Sequence, residues 1–275
     1  VHIPFCNFLQ TSCIRTESHV WQALRSTAKT TVIATLFPLL WIGIGHAAEN
    51  DTSVLIQRGS NSEPTVRQID TTAERVAACA TCHGKEGRAT RDGFFPRIAG
   101  KPAGYLYNQL VNFREGRRQY PLMNAMVAHM SDAYLKEIAQ YFADQQLPYP
   151  PAQRSAFSRS TLEHGRGLVI HGDASRNIPA CIACHGKNLT GATPTIPSLV
   201  GLPRDYLNAQ FGAWKSGARH AAAPDCMAQI SRVLQPADIQ AVSAWLASQP
   251  VPDDMTPASS ASMKLPLDCG SVPYP

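Results

Sequence analysis

Two short segments hold the residues most able to do chemistry. "CATCH" begins at Cys79 and "CIACH" begins at Cys181, and each is followed by Gly-Lys. On a helix, positions i, i+3 and i+4 share one face. Cys79, Cys82 and His83 can therefore address one flat object, as can Cys181, Cys184 and His185. Two thioether bonds would fix a haem while the histidine coordinates its iron, which is how this spacing reads. Two other chemistries use the same residue types. A zinc site built from paired C-x-x-C units would leave both histidines idle and would have to bridge two distant segments. A dithiol redox centre gives no role to the histidine or to the repetition. The expectation is two covalently bound haem c groups per chain.

The repetition extends well beyond the cysteines. "FFPRIAGKPAGYLYNQLVNFREGRR" runs beside "TIPSLVGLPRDYLNAQFGAWKSGAR", pairing Pro96 with Pro197, Gly100 with Gly201, Tyr105 with Tyr206, Gln109 with Gln210 and Gly116 with Gly217. The chain is one unit written twice. Each copy reads as helical. The segment ending in the haem motif lacks the alternation of a strand, and Leu106, Leu110 and Phe113 keep helical spacing up to Gly116. The last helix of the first copy starts at Ser131 and Asp132 and lines up Leu135, Ile138 and Phe142. Its counterpart starts at Pro236 and lines up Ile239, Val242 and Leu246. No strand pattern competes.

A haem iron needs a second axial ligand, and the repeat selects one. Met123 lies eight residues before Ser131, and Met227 lies eight before Gln235. In that register Met126 faces Ile230 and Met130 faces Leu234, so those two methionines are expected in the core. Only Met123 keeps a methionine in both copies. A thioether favours ferrous iron, and a His-Met pair leaves no open position on it. That combination points to carrying electrons.

These motifs, in this order and twice over, resemble the class I c-type cytochromes, and the duplicated arrangement is similar to the diheme cytochrome c4 family over residues 70 to 250. The resemblance implies an all-α fold of two tandem cytochrome c domains related by a pseudo-twofold axis, with haem edges close enough for internal electron exchange. It implies His83 with Met123 and His185 with Met227 as iron ligands. It also implies that the carbonyls of Pro96 and Pro197 hold the free ring N–H of each histidine, fixing ligand orientation. The function it implies is a shuttle of single electrons. The donor would be a dehydrogenase or quinol-oxidising cytochrome complex, and the acceptor a terminal oxidase or another cytochrome. Two alternatives stand beside it: a dedicated cytochrome subunit of a periplasmic dehydrogenase, and a diheme redox enzyme using Cys226 as an iron ligand. Cys226 precedes Met227 where the first copy has Leu122. The first expectation pairs it with Cys269, pinning the tail over the second domain; ligation and a free thiol are the alternatives.

The composition, 44% hydrophobic and 16% charged over 275 residues, is that of a globular protein. Arg25 and Lys29, the run "TTVIATLFPLLWIGIG" and then "HAAEN" fit a secretory signal cleaved near Ala47 or Ala48, hence a periplasmic protein. An uncleaved anchor giving membrane association is the alternative. The expected organisation is an N-terminal extension and signal over 1–48, an arm over 49–70, and cytochrome domains over 71–147 and 161–249. A linker at 148–160 joins them, and a Pro/Ser-rich irregular tail covers 250–275. Residues 1 to about 24, with Cys6 and Cys13, are set aside from the fold. Beyond residue 48 there remain 22 basic and 19 acidic residues, and nothing in that balance suggests nucleic acid. The positive excess gathers between Lys85 and Arg118, where Arg88, Arg91, Arg97, Lys101, Arg114 and Arg117 outnumber Glu86, Asp92 and Glu115. It is read as a surface that steers an acidic redox partner or neutralises haem propionates. His129, His164, His171 and His220 attach to no site.

Overall fold

A computed structural model describes residues 71–91, 93–259 and 263–272. The signal, the anchor alternative and the whole of the arm lie outside the described residues. Among these residues, no helix is long and apolar enough to cross a membrane.

In the first copy α1 (Thr72–Arg75) and α2 (Ala77–His83) are separated by Val76, whose φ of −93° and ψ of 4° interrupt the helix that the sequence suggests as continuous. Then come α3 (Ala103–Arg114), α4 (Pro121–Val127) and α5 (Asp132–Ala143). Ser131 caps α5 by accepting from the Tyr134 N–H, which satisfies an orphan donor of the first turn. The apolar stripe follows from the spacing: Leu135, Ile138 and Phe142 are buried, packed with Leu106 and Phe113 of α3.

The second copy repeats the order with a longer opening. Its α6 (Arg159–His171) leads through a short 3-10 turn to α7 (Ile182–His185), followed by α8 (Arg204–Ser216), α9 (Cys226–Val233) and α10 (Pro236–Ser248). Helices α6 and α10 cross at Gly165, where a Cβ would sit 2.1 Å from the Ala241 carbonyl oxygen. Only glycine permits that approach. A second core forms around Leu168, Val169, Leu207, Val242 and Leu246.

Two features depart from a purely helical reading. β1 (Ala192–Thr193) pairs in parallel with β2 (Ala258–Ser259) of the tail. At two residues each, these strands are too short to leave an alternating pattern. The tail is therefore partly tied down, and Cys226 is joined to Cys269 by a disulfide. Met126, expected in the core, is 50% exposed, whereas Met130 packs against the first core.

The two copies meet through backbone and side chains. The Gln119 N–H donates to the Ala218 carbonyl and the His220 N–H to the Arg117 carbonyl, both at 2.7 Å, so Arg118 and Arg219 form an antiparallel bridge. Reciprocal pairing of this kind is what a pseudo-twofold axis produces. Arg97 anchors the linker: its guanidinium donates to the Leu147 and Pro148 carbonyls and stacks over Tyr149 at 3.9 Å.

Candidate haem sites

Helix α2 ends in Cys79, Cys82 and His83, and α7 ends in Cys184 and His185 with Cys181 at its N-cap. Directly after each histidine the chain turns on a glycine. Gly84 has φ 74° and Gly186 φ 82°, and a Cβ on Gly84 would lie 2.4 Å from the Ala89 carbonyl oxygen. Both values lie in the region that favours glycine, so the recurrence of Gly after the motif has a backbone reason.

Each histidine is held the same way. His83 Nδ1 lies 2.9 Å from the Pro96 carbonyl oxygen and His185 Nδ1 lies 2.8 Å from that of Pro197. A carbonyl only accepts, so Nδ1 carries the proton and Nε2 keeps a free lone pair in the neutral ring. Burial lowers the proton affinity of both rings. The proline carbonyls work against that shift, and Arg118 adds to it at His83 and Lys101 at His185. Neutral imidazoles with a free Nε2 are what iron requires.

The thiols are equally suggestive. Cys79, Cys82, Cys181 and Cys184 form no disulfide. Burial pushes Cys79 and Cys184 up and Cys181 to about 12, the reverse of a reactive redox dithiol. The two pairs face separate cavities, so they do not converge as zinc ligands would. Among the described residues no group of three or more His, Cys, Asp or Glu gathers around one point.

The first cavity, about 550 Å³, is lined by Cys79, Cys82, His83, Pro96 and Met123 among mostly apolar side chains. The second, about 170 Å³, is lined by Cys181, Cys184, His185, Pro197 and Met227, with Cys226 and Cys269 in its wall. Thiols, imidazole and thioether thus share one apolar enclosure in each copy, which fits a flat, apolar group bonded through two sulfurs. The Cys226 sulfur is engaged by Cys269, which takes it away from any iron while that bond stands. Tail residues Leu265, Leu267, Ser271 and Val272 also line the second cavity.

Between the cavities lies a polar layer that only its tyrosines and glutamines announced in the sequence. The Arg118 guanidinium donates to Gln109 Oε1 (2.9 Å) and Gln210 Oε1 (2.7 Å), and that of Arg219 donates to Gln210 Oε1 (2.7 Å) and Gln109 Oε1 (3.0 Å). Each arginine stacks on an aromatic ring of its own copy, Arg118 on Phe113 and Arg219 on Trp214. Arg97 and Lys101, read from sequence as part of a steering surface, are 3% and 4% exposed. They belong to the interior because the second copy and the linker cover them. His220, unassigned from sequence, lines the second cavity.

Comparison with known proteins agrees with this geometry. Residues 67–142 match the family described as cytochrome c oxidase, cbb3-type, subunit III. The chain is 35% identical over 189 residues to the thiosulfate dehydrogenase electron acceptor of Thiomonas intermedia, covering 69% of this chain and 84% of that protein. Reduced cytochrome c4 from Pseudomonas stutzeri superposes with a TM-score of 0.55 at 28% identity, over 63% of this chain and 94% of the other. Thiosulfate dehydrogenase TsdBA from Marichromatium purpuratum gives 0.57 at 29% identity, over 68% of this chain but only 40% of that one.

The fold and the duplicated haem motif define a diheme class I c-type cytochrome. The chain belongs to the cytochrome c4 family, binds two haem c groups covalently through the cysteines at 79/82 and 181/184, and is a diheme electron-transfer cytochrome.

Proposed function

We propose that this protein accepts electrons singly from a periplasmic thiosulfate dehydrogenase and passes them to a terminal oxidase or another cytochrome. The observation that carries the donor is the relative from Thiomonas intermedia, which is named as the electron acceptor of such an enzyme and is matched over most of its length. The irons would be held by His83 with Met123 and by His185 with Met227. Haem c, when bound, supplies a one-electron ferric/ferrous couple.

The remaining work belongs to the chain's own residues. Pro96 and Pro197 hold the imidazoles in one tautomer and orientation, which keeps each Nε2 aimed and limits rearrangement between oxidation states. Met123 and Met227, which line the two cavities, would supply a thioether to each iron and so leave water no place on it. Apolar walls exclude solvent and favour the ferrous, less charged state. The layer of Gln109, Gln210, Arg118 and Arg219 locks the two copies together and keeps the cavities at a set separation. Single electrons can then cross between them without a domain movement. The N-terminal segment read as a signal would deliver the chain to the periplasm, where the Cys226–Cys269 disulfide is stable.

The test joins spectroscopy to kinetics. The purified protein should show two low-spin haems per chain, a methionine-to-ferric-iron band, and no response of the reduced form to carbon monoxide. Thiosulfate dehydrogenase with thiosulfate should reduce both haems in a second-order reaction. A prompt carbon monoxide shift would overturn the closed ligand set. Reduction by quinol-oxidising complexes but never by the dehydrogenase would overturn the donor.

A further inference from the structure

The large hydrophobic side chains that stand exposed among the described residues are Phe94, Leu122 and Met126, and all three line the first cavity. Exposed apolar side chains are ordinarily scattered singly, so their gathering on one rim marks a contact surface. The Phe94 ring is set edge-on to Phe95, with centroids 5.0 Å apart, and tilted against Tyr120 at 6.1 Å. Neighbouring rings thus fix where it points.

The second copy shows what lies over the same places. Phe94 aligns with Thr195, Leu122 with Cys226 and Met126 with Ile230. Thr195 Oγ1 donates to the Val272 carbonyl at 3.3 Å, Cys226 is bonded to Cys269, and the tail's Leu265, Leu267 and Val272 line the cavity. These positions face an irregular, largely apolar cover. The tail's seat is an insertion, for ten positions separate Gly217 from Met227 and only seven separate Gly116 from Met123. There Gly270 fits so closely that a Cβ would lie 2.1 Å from the Ala223 carbonyl oxygen, and its N–H donates to the Pro224 carbonyl at 2.9 Å. The first copy lacks that added length.

The border of the first rim is cationic. Lys85, Arg88 and Arg91 are exposed on the segment leading to Phe94, against Glu86 and Asp92 in its sequence. No Asp or Glu falls between Gly116 and Ser131, the stretch that carries Arg117, Leu122 and Met126. The complement of such a rim is an apolar patch bordered by carboxylates.

We propose that this rim is where a redox partner docks, that the partner presents an apolar patch bordered by carboxylates, and that the second site exchanges electrons with it only by way of the first. In the second copy the chain's own tail holds the equivalent surface. Electrons then cross the interface fixed by Gln109, Gln210 and Lys101, whose Nζ donates to Ser198 Oγ of the second copy at 3.1 Å. This rests on the donor proposed for the chain, a thiosulfate dehydrogenase, whose electron-exit face would be the patch.

The test is stopped-flow reduction of the oxidised, fully haem-loaded chain by thiosulfate dehydrogenase with thiosulfate. Phe94→Ser with Leu122→Ser should lower the second-order rate constant about tenfold or more, because a few central apolar anchors carry most of a contact's affinity. Reduction by dithionite, which needs no docking face, should stay unchanged. Arg88→Glu with Arg91→Glu should slow the enzyme reaction at low salt and much less at high salt. Asp268→Asn, on the cover of the second site, should leave it unaltered. Equal rates in the Phe94 and Leu122 variant, or a fall in Asp268→Asn instead, overturn the proposal. If Leu122→Ser disturbs the neighbouring Met123, seen as a lost methionine band, Phe94→Ser with Met126→Ser carries the same reading. A gold electrode coated with mixed carboxylate and methyl alkanethiols offers the patch chemistry without the enzyme. If the dehydrogenase does not reduce the unmodified chain, yet exchange with that electrode falls in the same variants, the donor fails and the docking face stands. Exchange indifferent to those variants overturns the face. A dimer in sedimentation that the variants dissolve would assign the rim to a second copy of the chain, which also overturns it.

Discussion

At the first site Phe94 and Leu122 stand 63% and 64% exposed in the wall of the cavity. At the second site their counterparts in the repeat are Thr195 and Cys226, and both are tied to the tail: Thr195 Oγ1 donates to the Val272 carbonyl, and Cys226 is bonded to Cys269. The same repeat therefore produces one open site and one covered site. What differs is material outside the repeat, laid over the second cavity. Duplication supplied two equivalent sets of cysteines, histidines and methionines, and the additions made the sets inequivalent.

The largest test removes one site outright. Cys181→Ser with Cys184→Ser should leave one covalent haem per chain by pyridine haemochrome assay, with the first site's spectrum retained; loss of both haems would mean the copies do not load independently. Next comes the cover. Cys269→Ser opens a loop of 43 residues, and should cost about 2 to 4 kcal/mol of stability, confined to the second copy in denaturant unfolding. Equal weakening of both copies would show that the tail braces the whole molecule. Gly165→Val presses a side chain into the Ala241 carbonyl, and should cost up to about 3 kcal/mol as an overpacked contact. It should release the second haem environment at lower temperature than the first.

The smallest effect is acid sensitivity. Burial works against the charge of Asp238, yet Arg176, the Gln235 N–H and His164 hold its carboxyl down at about 2. A carboxyl depressed in the folded state contributes stability that is present above its ordinary titration range. That contribution disappears as pH falls from about 4 toward 2, and amounts to about 2 kcal/mol. The first copy has Tyr134 at this position and no equivalent. The second copy of the unmodified protein should lose stability across that window, and Asp238→Asn should flatten the loss in thermal melts against pH.

Much of this was legible in the sequence, for reasons specific to each element. The haem motif is local, so its chemistry is written in five consecutive residues. Helices α5 and α10 announce themselves through Ser131, Pro236 and the apolar stripe, because capping and amphipathic spacing act within a few residues. Met123 and Met227 stood out through the repeat, which works as an internal comparison. Met126 was misjudged because substitution by Ile230 signals an apolar position and says nothing of depth. Arg97 and Lys101 were misjudged because a charged residue is ordinarily solvated, and their burial needs the second copy and the linker.

By itself the sequence determined the duplication, the helical character and the covalent haem chemistry, all of which depend on residue type and short spacing. Only the tertiary structure decided how the two copies face each other, that Arg118 and Arg219 interlock through Gln109 and Gln210, that the tail covers the second cavity, and that Lys101 crosses to Ser198. Those contacts join residues up to 163 positions apart, as between Asn108 and Ser271. They arise from packing two separate cores against each other, which no local pattern encodes.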